Sequence, residues 1–335
     1  MPHRPTRRRF LQAAAAGTSA FFAWPLRAED KKPSANERLH VGVIGVAGQG
    51  AYNWTEVDRA GAEIVALCDV DEGRAGPARG KFPKATFDVD FRDLLDRKGI
   101  DAVIVATPDH THAVATVAAL KSGRHVYCEK PLTHDVAEAR AVAETAAREK
   151  KVTQMGTQIH NHPEGNYRRC VELIQGGAIG AVKEVHVWCG TSYGGAKRPT
   201  ETEEVPKGLH WDLWLGTAPE RPFYRGKKDD RGYCYEPFNW RKWWDFGGGG
   251  LTDMACHHVD LPFWALKLRH PTKVSAEGSP RPDPEAAADW LIVNYEFPAR
   301  GDLPAVKLTW YDGGKRPPHF AQGQLPKWGD GSLFM

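Results

Sequence analysis

The sequence has no C-x-x-C pair, although it holds six cysteines, at 68, 128, 170, 189, 234 and 256. That argues against a zinc ribbon or a thioredoxin-type motif. Several of the six lie in apolar runs, where cysteine serves as a small core hydrophobe rather than half of a disulfide. Charge of one sign is lacking too. The net charge is +3, and part of it belongs to Arg4, Arg7, Arg8 and Arg9. Nothing in so balanced a chain argues for nucleic acid or an anionic membrane surface as a partner. There is no bilayer-spanning run either. The apolar stretch near the N-terminus is short and broken by Gln12, Gly17 and Pro25, so no stable membrane anchor is expected. Internal repeats are absent. What is left is an ordinary globular composition over 335 residues, room for two domains, and a high count of twelve tryptophans.

The first residues read as an address rather than as fold. "TRRRFLQAAAAGTSAFFAWPLRAED" has a basic start, a modestly apolar middle and a small residue near its end, the layout of an export signal. Thr6-Arg7-Arg8-Arg9-Phe10-Leu11 resembles the twin-arginine consensus, with cleavage expected after Ala28 and a periplasmic or otherwise exported product. The twin-arginine export machinery is thus an expected partner. Residues 29–38 read as a solvated linker. Domain assignments follow: signal peptide 1–28, linker 29–38, nucleotide-binding domain 39–155, and a second domain from 156 to 335.

Residues 39–155 alternate strands and helices. Leu39 to Ile44 reads as a buried parallel strand, followed by a turn with Gly45, Gly48 and Gly50. The dinucleotide pattern G-x-G-x-x-G lacks its second glycine, because Ala47 stands there. A second strand, "AEIVALCDVD", ends in Asp69, 24 residues after Gly45 and near the offset expected for the acid that binds a ribose hydroxyl. Asp71 and Glu72 follow, and a ribose 2′-phosphate would be repelled there, so NAD is favoured over NADP. "DAVIVATP", "HVYCEKP" and "VTQMGTQ" are three further strands, separated by helical segments. This order implies a doubly wound parallel sheet, whose ligands bind beyond the carboxyl ends of the strands. Gly45, Asp69, Pro108, Glu129, Lys130 and Gln158 all sit at or beyond such ends.

The second half reads as an α+β domain on a large, mostly antiparallel sheet. "AVKEVHVWCG" alternates as a half-buried strand does, and "ADWLIVNYEF" and "AVKLTWY" continue the theme. In "DMACHHVD", Asp253 and His257 are four residues apart and share a helix face, with Asp260 on the same side. They read either as a functional set or as a satisfied structural pair. Asp253, His257 and His258 are also metal-ligand types, but His258 points elsewhere on the helix, and no metal is expected. Trp240, Trp243 and Trp244 with Arg241 could offer a sugar flat apolar faces and donors; core packing is the alternative for any single tryptophan.

Together the glycine turn, Asp69, "TPDHTHA", "CEKPL" and "GGGGLTDMACHHVDLPFWAL" resemble the Gfo/Idh/MocA family of NAD(P)-dependent oxidoreductases, from residue 39 onward. The resemblance implies a pyrophosphate loop of Gly45, Ala47, Gly48 and Gly50, with Asp69 on the adenosine ribose. It implies Thr107, Pro108 and His112 beside the cofactor. Glu129, Lys130 and Gln158 fall at the nicotinamide end, often with a cis bond before Pro131. Residue types suggest that Glu129 keeps Lys130 charged, that Asp253 orients the substrate or His257, and that Trp240, Arg241 and Trp244 meet the substrate; the resemblance makes Lys130, Asp253 and His257 the catalytic set. It further implies hydride transfer between a secondary alcohol of a sugar, sugar derivative or cyclitol and a tightly bound nicotinamide. An NAD-dependent glycoside hydrolase and a non-catalytic sugar-binding protein are the alternatives. Relatives typically continue beyond "GDGSLFM", so a truncated second sheet is expected, with any homo-oligomer forming through it.

Overall fold

The computed structural model describes residues 38–161, 166–229 and 231–335. The signal peptide expected at 1–28 lies outside them, as does the linker up to residue 37.

The first half follows the alternating pattern. Strand β1 (His40–Ile44) leads through the glycine turn into α1 (Gln49–Arg59), then β2 (Glu63–Cys68), α2 (Gly76–Lys81), β3 (Thr86–Asp88) and α3 (Phe91–Asp96). Next come β4 (Ala102–Val105), α4 (Asp109–Lys121), β5 (His125–Glu129), α5 (Val136–Glu149) and β6 (Thr153–Gly156). The six strands form one sheet in the order β3-β2-β1-β4-β5-β6, parallel throughout. This is the doubly wound dinucleotide-binding order, with its switch point between β1 and β4. The apolar runs of β1, β4 and β5 supply both covered faces: Val105, Val126 and Cys128 to one, Val41, Val43 and Ile104 to the other. Helix α5 starts where expected because Asp135 and Glu138 cap each other's backbone N–H groups.

The second half begins with α6 (Tyr167–Gln175) and β7 (Glu184–Trp188), then α7 (Trp211–Leu215), α8 (Gly249–His258) and α9 (Asp260–Ala265). Strands β8 (Lys273–Gly278), β9 (Leu291–Phe297), β10 (Val306–Tyr311) and β11 (Gly331–Phe334) complete it. Its sheet runs β11-β7-β10-β9-β8, antiparallel except for the parallel pair β7 and β10. Leu308 and Trp310 of β10 form its core with Val185, Val187 and Leu268. Residues 39–335 pack as one unit.

Three strands escape the sequence pattern for physical reasons. β3 is only three residues long, β11 only four, and every residue of the edge strand β8 is exposed, so no hydrophobic alternation marks it. The tryptophan excess is largely core. Trp211, Trp214, Trp240 and Trp243 pack with Phe223, Tyr235 and Phe246, and Trp211 stacks on Trp214 at 4.7 Å. His110 of α4 joins this seam, its Nε2 3.0 Å from the Trp214 carbonyl and its ring 5.1 Å from Phe246. All six cysteines are free thiols. Among the described residues no helix is long and apolar enough to cross a membrane.

Candidate active site

The glycine turn is built for close approach. Gly45 has φ +82°, and a Cβ there would lie 2.6 Å from the Ala106 carbonyl oxygen. A Cβ on Gly50 would lie 1.8 Å from the Gly45 carbonyl oxygen, so α1 packs against the turn only because residue 50 has no side chain. Gly48 stands at the N-cap of α1 with φ +55°, and no side chain caps the helix. Its N-terminus therefore faces the cleft as an anion site, where helix dipole and free N–H groups favour a phosphate. Asp69 latches the turn to β2. One carboxylate oxygen accepts the Val46 N–H at 3.0 Å and the other accepts the Asp71 N–H at 3.0 Å. Burial raises the Asp69 carboxyl above its usual range, and these hydrogen bonds oppose that.

A cleft of about 720 Å³ opens beside this turn, a size usual for small-molecule sites. Gly45, Ala47, Gly48, Asp69, Thr107 and Pro108 line it, together with Trp214 and Phe238 from the second half. A smaller recess of about 220 Å³ shares Thr107, Trp240 and Arg241 with it and adds His112, Glu129, Lys130, Gln158, Asp253 and His257. The structure thus gathers the sequence-predicted residues in two adjoining spaces, apart from Gly50, which packs behind the turn, and Trp244. The latter lines neither space and is 38% exposed as a residue.

The recess is organised by charge. The Lys130 ammonium, which precedes a cis Lys130–Pro131 bond, donates to the Asp253 carboxylate and, at 3.1 Å, to the Asp253 carbonyl. Arg241 lies 3.2 Å from the other Asp253 oxygen. Burial works to raise the Asp253 carboxyl, but Arg241 and Lys130 outweigh it and hold it at about 2. Arg241 is itself held between the Phe238 and Trp240 rings, 4.1 and 4.2 Å from their centroids. Trp240 therefore supports Arg241 and the core more than it offers a free face. His257, one helical turn beyond Asp253, is pushed down to about 4 by burial and by the Lys130 charge, against the pull of Asp253. Its imidazole is neutral at neutral pH.

Two expected contacts are replaced. Glu129 acts on Lys130 through space rather than by an ion pair: burial raises the Glu129 carboxyl and the Lys130 charge pulls it down, while the carboxylate accepts from Asn53 at 2.8 Å and from the Gln158 amide. Asp253 spends its oxygens on Lys130 and Arg241 instead of on the His257 ring. The physical reason is the strand end. Glu129 is still paired within β5, facing Gly156, whereas Lys130 has left the sheet and reaches across the cleft. His112 acts as a brace, its two ring nitrogens 2.7 and 2.8 Å from the Pro131 and Thr107 carbonyls. Asp109, Tyr193 and Asn53 are functional candidates that sequence reasoning missed. Asp109 is fully buried in the recess and its carboxyl is pushed up to about 8, chiefly by desolvation. Its position inside "TPDHTHA" was the available signal.

Comparison with known proteins adds a decisive match. Residues 39–157 match the family described as Gfo/Idh/MocA oxidoreductase, NAD-binding Rossmann fold. Residues 174–303 match the C-terminal alpha/beta domain of that oxidoreductase family. The two stretches cover about three quarters of the chain. The chain belongs to the Gfo/Idh/MocA family. Its first half is accordingly an NAD-binding Rossmann domain. Among curated relatives, inositol 2-dehydrogenase 1 of Saccharopolyspora erythraea is 34% identical over 152 residues. That match spans less than half of either protein, 44% of each. Among solved structures, an oxidoreductase domain protein from Kribbella flavida is 27% identical with a TM-score of 0.57, covering 82% of this chain and 66% of that one. The WlbA dehydrogenase of Bordetella pertussis, solved with NADH and UDP-GlcNAcA, has a TM-score of 0.60 at 18% identity, covering 84% and 72%. At that identity the likeness concerns the Gfo/Idh/MocA fold alone.

Proposed function

We propose that this protein is an NAD-dependent oxidoreductase that acts on a secondary alcohol of a sugar, sugar derivative or cyclitol. The observation that carries the reading is the recess where Lys130, Asp253, Arg241 and His257 meet beside the glycine turn. The residues fit NAD. A Cβ at Gly45 or Gly50 would collide with backbone and break the turn that shapes the cradle, and the uncapped start of α1 suits the pyrophosphate. Asp69 would meet the ribose with the lone pairs its two backbone bonds leave over. When bound, the nicotinamide supplies the acceptor for the hydride leaving the alcohol carbon.

The chain's own residues supply the rest. Lys130, fixed as a donor by Asp253, holds the alcohol oxygen and stabilises the negative charge that develops there. His257, neutral at pH 7, takes the hydroxyl proton on a ring nitrogen. Arg241 keeps the Asp253 carboxylate ionised, which in turn keeps Lys130 oriented.

The reading extends to location. Thr6 to Leu11 support twin-arginine export, a route suited to a protein that folds around its cofactor before leaving the cytoplasm. The test is a panel of sugars and cyclitols with NAD, followed by NADH absorbance. Reduction of NAD by at least one of them, lost in Lys130→Ala, supports the proposal. Absence of any NAD binding by the purified chain refutes it. Cleavage of a glycoside with solvent-deuterium exchange and no net NADH would assign the redox glycosidase instead. Cell fractionation of the wild type and of an Arg7→Lys/Arg8→Lys variant tests export separately.

A further inference from the structure

We propose that Cys189, His258 and Asp330 form a binding site for one divalent transition-metal ion of the zinc class. The Cys189 sulfur, a His258 ring nitrogen and an Asp330 carboxylate oxygen all lie within 4.8 Å of one another. They converge from three elements of the second half. Cys189 directly follows β7, His258 closes α8, and Asp330 directly precedes β11. The site is separate from the cleft, since none of the three lines either of its spaces.

The donor chemistry is that of a zinc site rather than of an acidic surface patch. It combines a thiolate, an imidazole and one carboxylate, the ligand types that zinc takes. Tetrahedral zinc with bonds of about 2.0–2.3 Å places its donors about 3.3–3.8 Å apart, so no pair of the three needs to close by more than about 1.5 Å. The backbone already holds them in register. β11 pairs with β7 so that Gly331 lies opposite Trp188, and the Gly190 N–H donates to the Asp330 carboxylate at 2.8 Å.

A second, independent observation is the unspent imidazole. His258 Nε2 is buried and has no hydrogen-bond partner among the described residues. Buried polar atoms are rarely left so, and the ring thus keeps donor capacity that no described group uses. Cys189 is fully buried while Asp330 is exposed, so the site is closed on the protein side and has access for the ion, with water as its fourth ligand. Cysteine ligates as the thiolate, so Cys189 would give up its proton to the solvent on binding. The ion would tie the edge strand β11 and the helix carrying Asp253 and His257 to the end of β7.

The test uses the full chain, loaded with Zn²⁺ or Co²⁺ and cleared of unbound metal. About one ion per chain is expected by elemental analysis, with a thiolate-to-cobalt charge-transfer band in the Co²⁺ form. Cys189→Ser should abolish the band, and Asp330→Ala should weaken retention by about tenfold or more, with NAD affinity unchanged in both. Asp330 is exposed, so its variant decides the matter if Cys189→Ser fails to fold. No retained metal in the wild type, or occupancy and band unchanged in Asp330→Ala, overturns the proposal.

Discussion

Replacing Asp253 by Asn probes the charge set most directly. Its carboxyl sits at about 2, against an ordinary 3.8. At about 1.36 kcal/mol per unit, that gap is worth about 2 kcal/mol of stability from the ionised form. A folded value below the unfolded one means the contribution is fully present above pH 4. It is lost as pH falls from about 4 towards 2. The substitution does more than remove this term. Lys130 and Arg241 remain, with side chains 11% and 19% exposed, and both lose the carboxylate they are ion-paired with. Stranding one side of a buried pair costs about 3–5 kcal/mol. Asp253→Asn should therefore lower the urea midpoint at pH 7 by that equivalent, with the slope unchanged. Tryptophan fluorescence reports it, because Trp240 and Trp243 pack in the adjoining seam. Between pH 4 and 2 the wild type should lose its extra stability while the variant does not. A variant within about 0.5 kcal/mol of wild type at pH 7 would show that the pair is cosmetic and refute this account.

The glycine turn gives a graded test: Gly50→Ala, which drives a Cβ to 1.8 Å from a carbonyl oxygen, should abolish NAD binding by calorimetry. Gly48→Ala meets nothing nearer than the Arg74 guanidinium at 3.8 Å and has chiefly its φ of +55° against it, so it should cost about 1–3 kcal/mol of stability in urea melts while still binding NAD. His257→Gln should lower kcat by about 10²–10⁴ with NAD affinity intact, measured by steady-state kinetics and by calorimetry. Asp109 releases its proton near 8 when folded, against 3.8 in the open chain, so its ionisation increasingly opposes folding as pH rises across that window. Asp109→Asn should therefore stabilise the protein, by an amount that grows from pH 4 towards pH 8 in thermal melts.

Much of the site could be read from residue order because its parts obey local rules. Gly45 and Gly50 mark a turn that tolerates no Cβ, and Asp253 and His257 share a helix face by spacing alone. Strand ends in a parallel sheet gather on one edge, which brought Asp69, Pro108 and Lys130 into one cleft. The pairings within that cleft were not legible. Asn53 reaches Glu129 across 76 positions, and Asp253 reaches Lys130 across 123. The first partner is chosen by how α1 packs on the parallel sheet and the second by how the halves dock, and no local period encodes either. For the same reason Trp240 read as a surface for sugar, whereas its indole lies in the seam and its outer face braces Arg241. Strand β8 stayed invisible because an exposed edge need not alternate.

The bond between Lys130 and Asp253 joins a sheet edge in one half to a helix in the other. The reacting set is consequently a property of the contact between halves, and neither half owns it. A Rossmann unit exchanged for another would arrive without its counter-ion, however well it held the dinucleotide. Inheritance must keep the two halves matched to each other, and substitutions that merely loosen their seam will silence the chemistry from a distance.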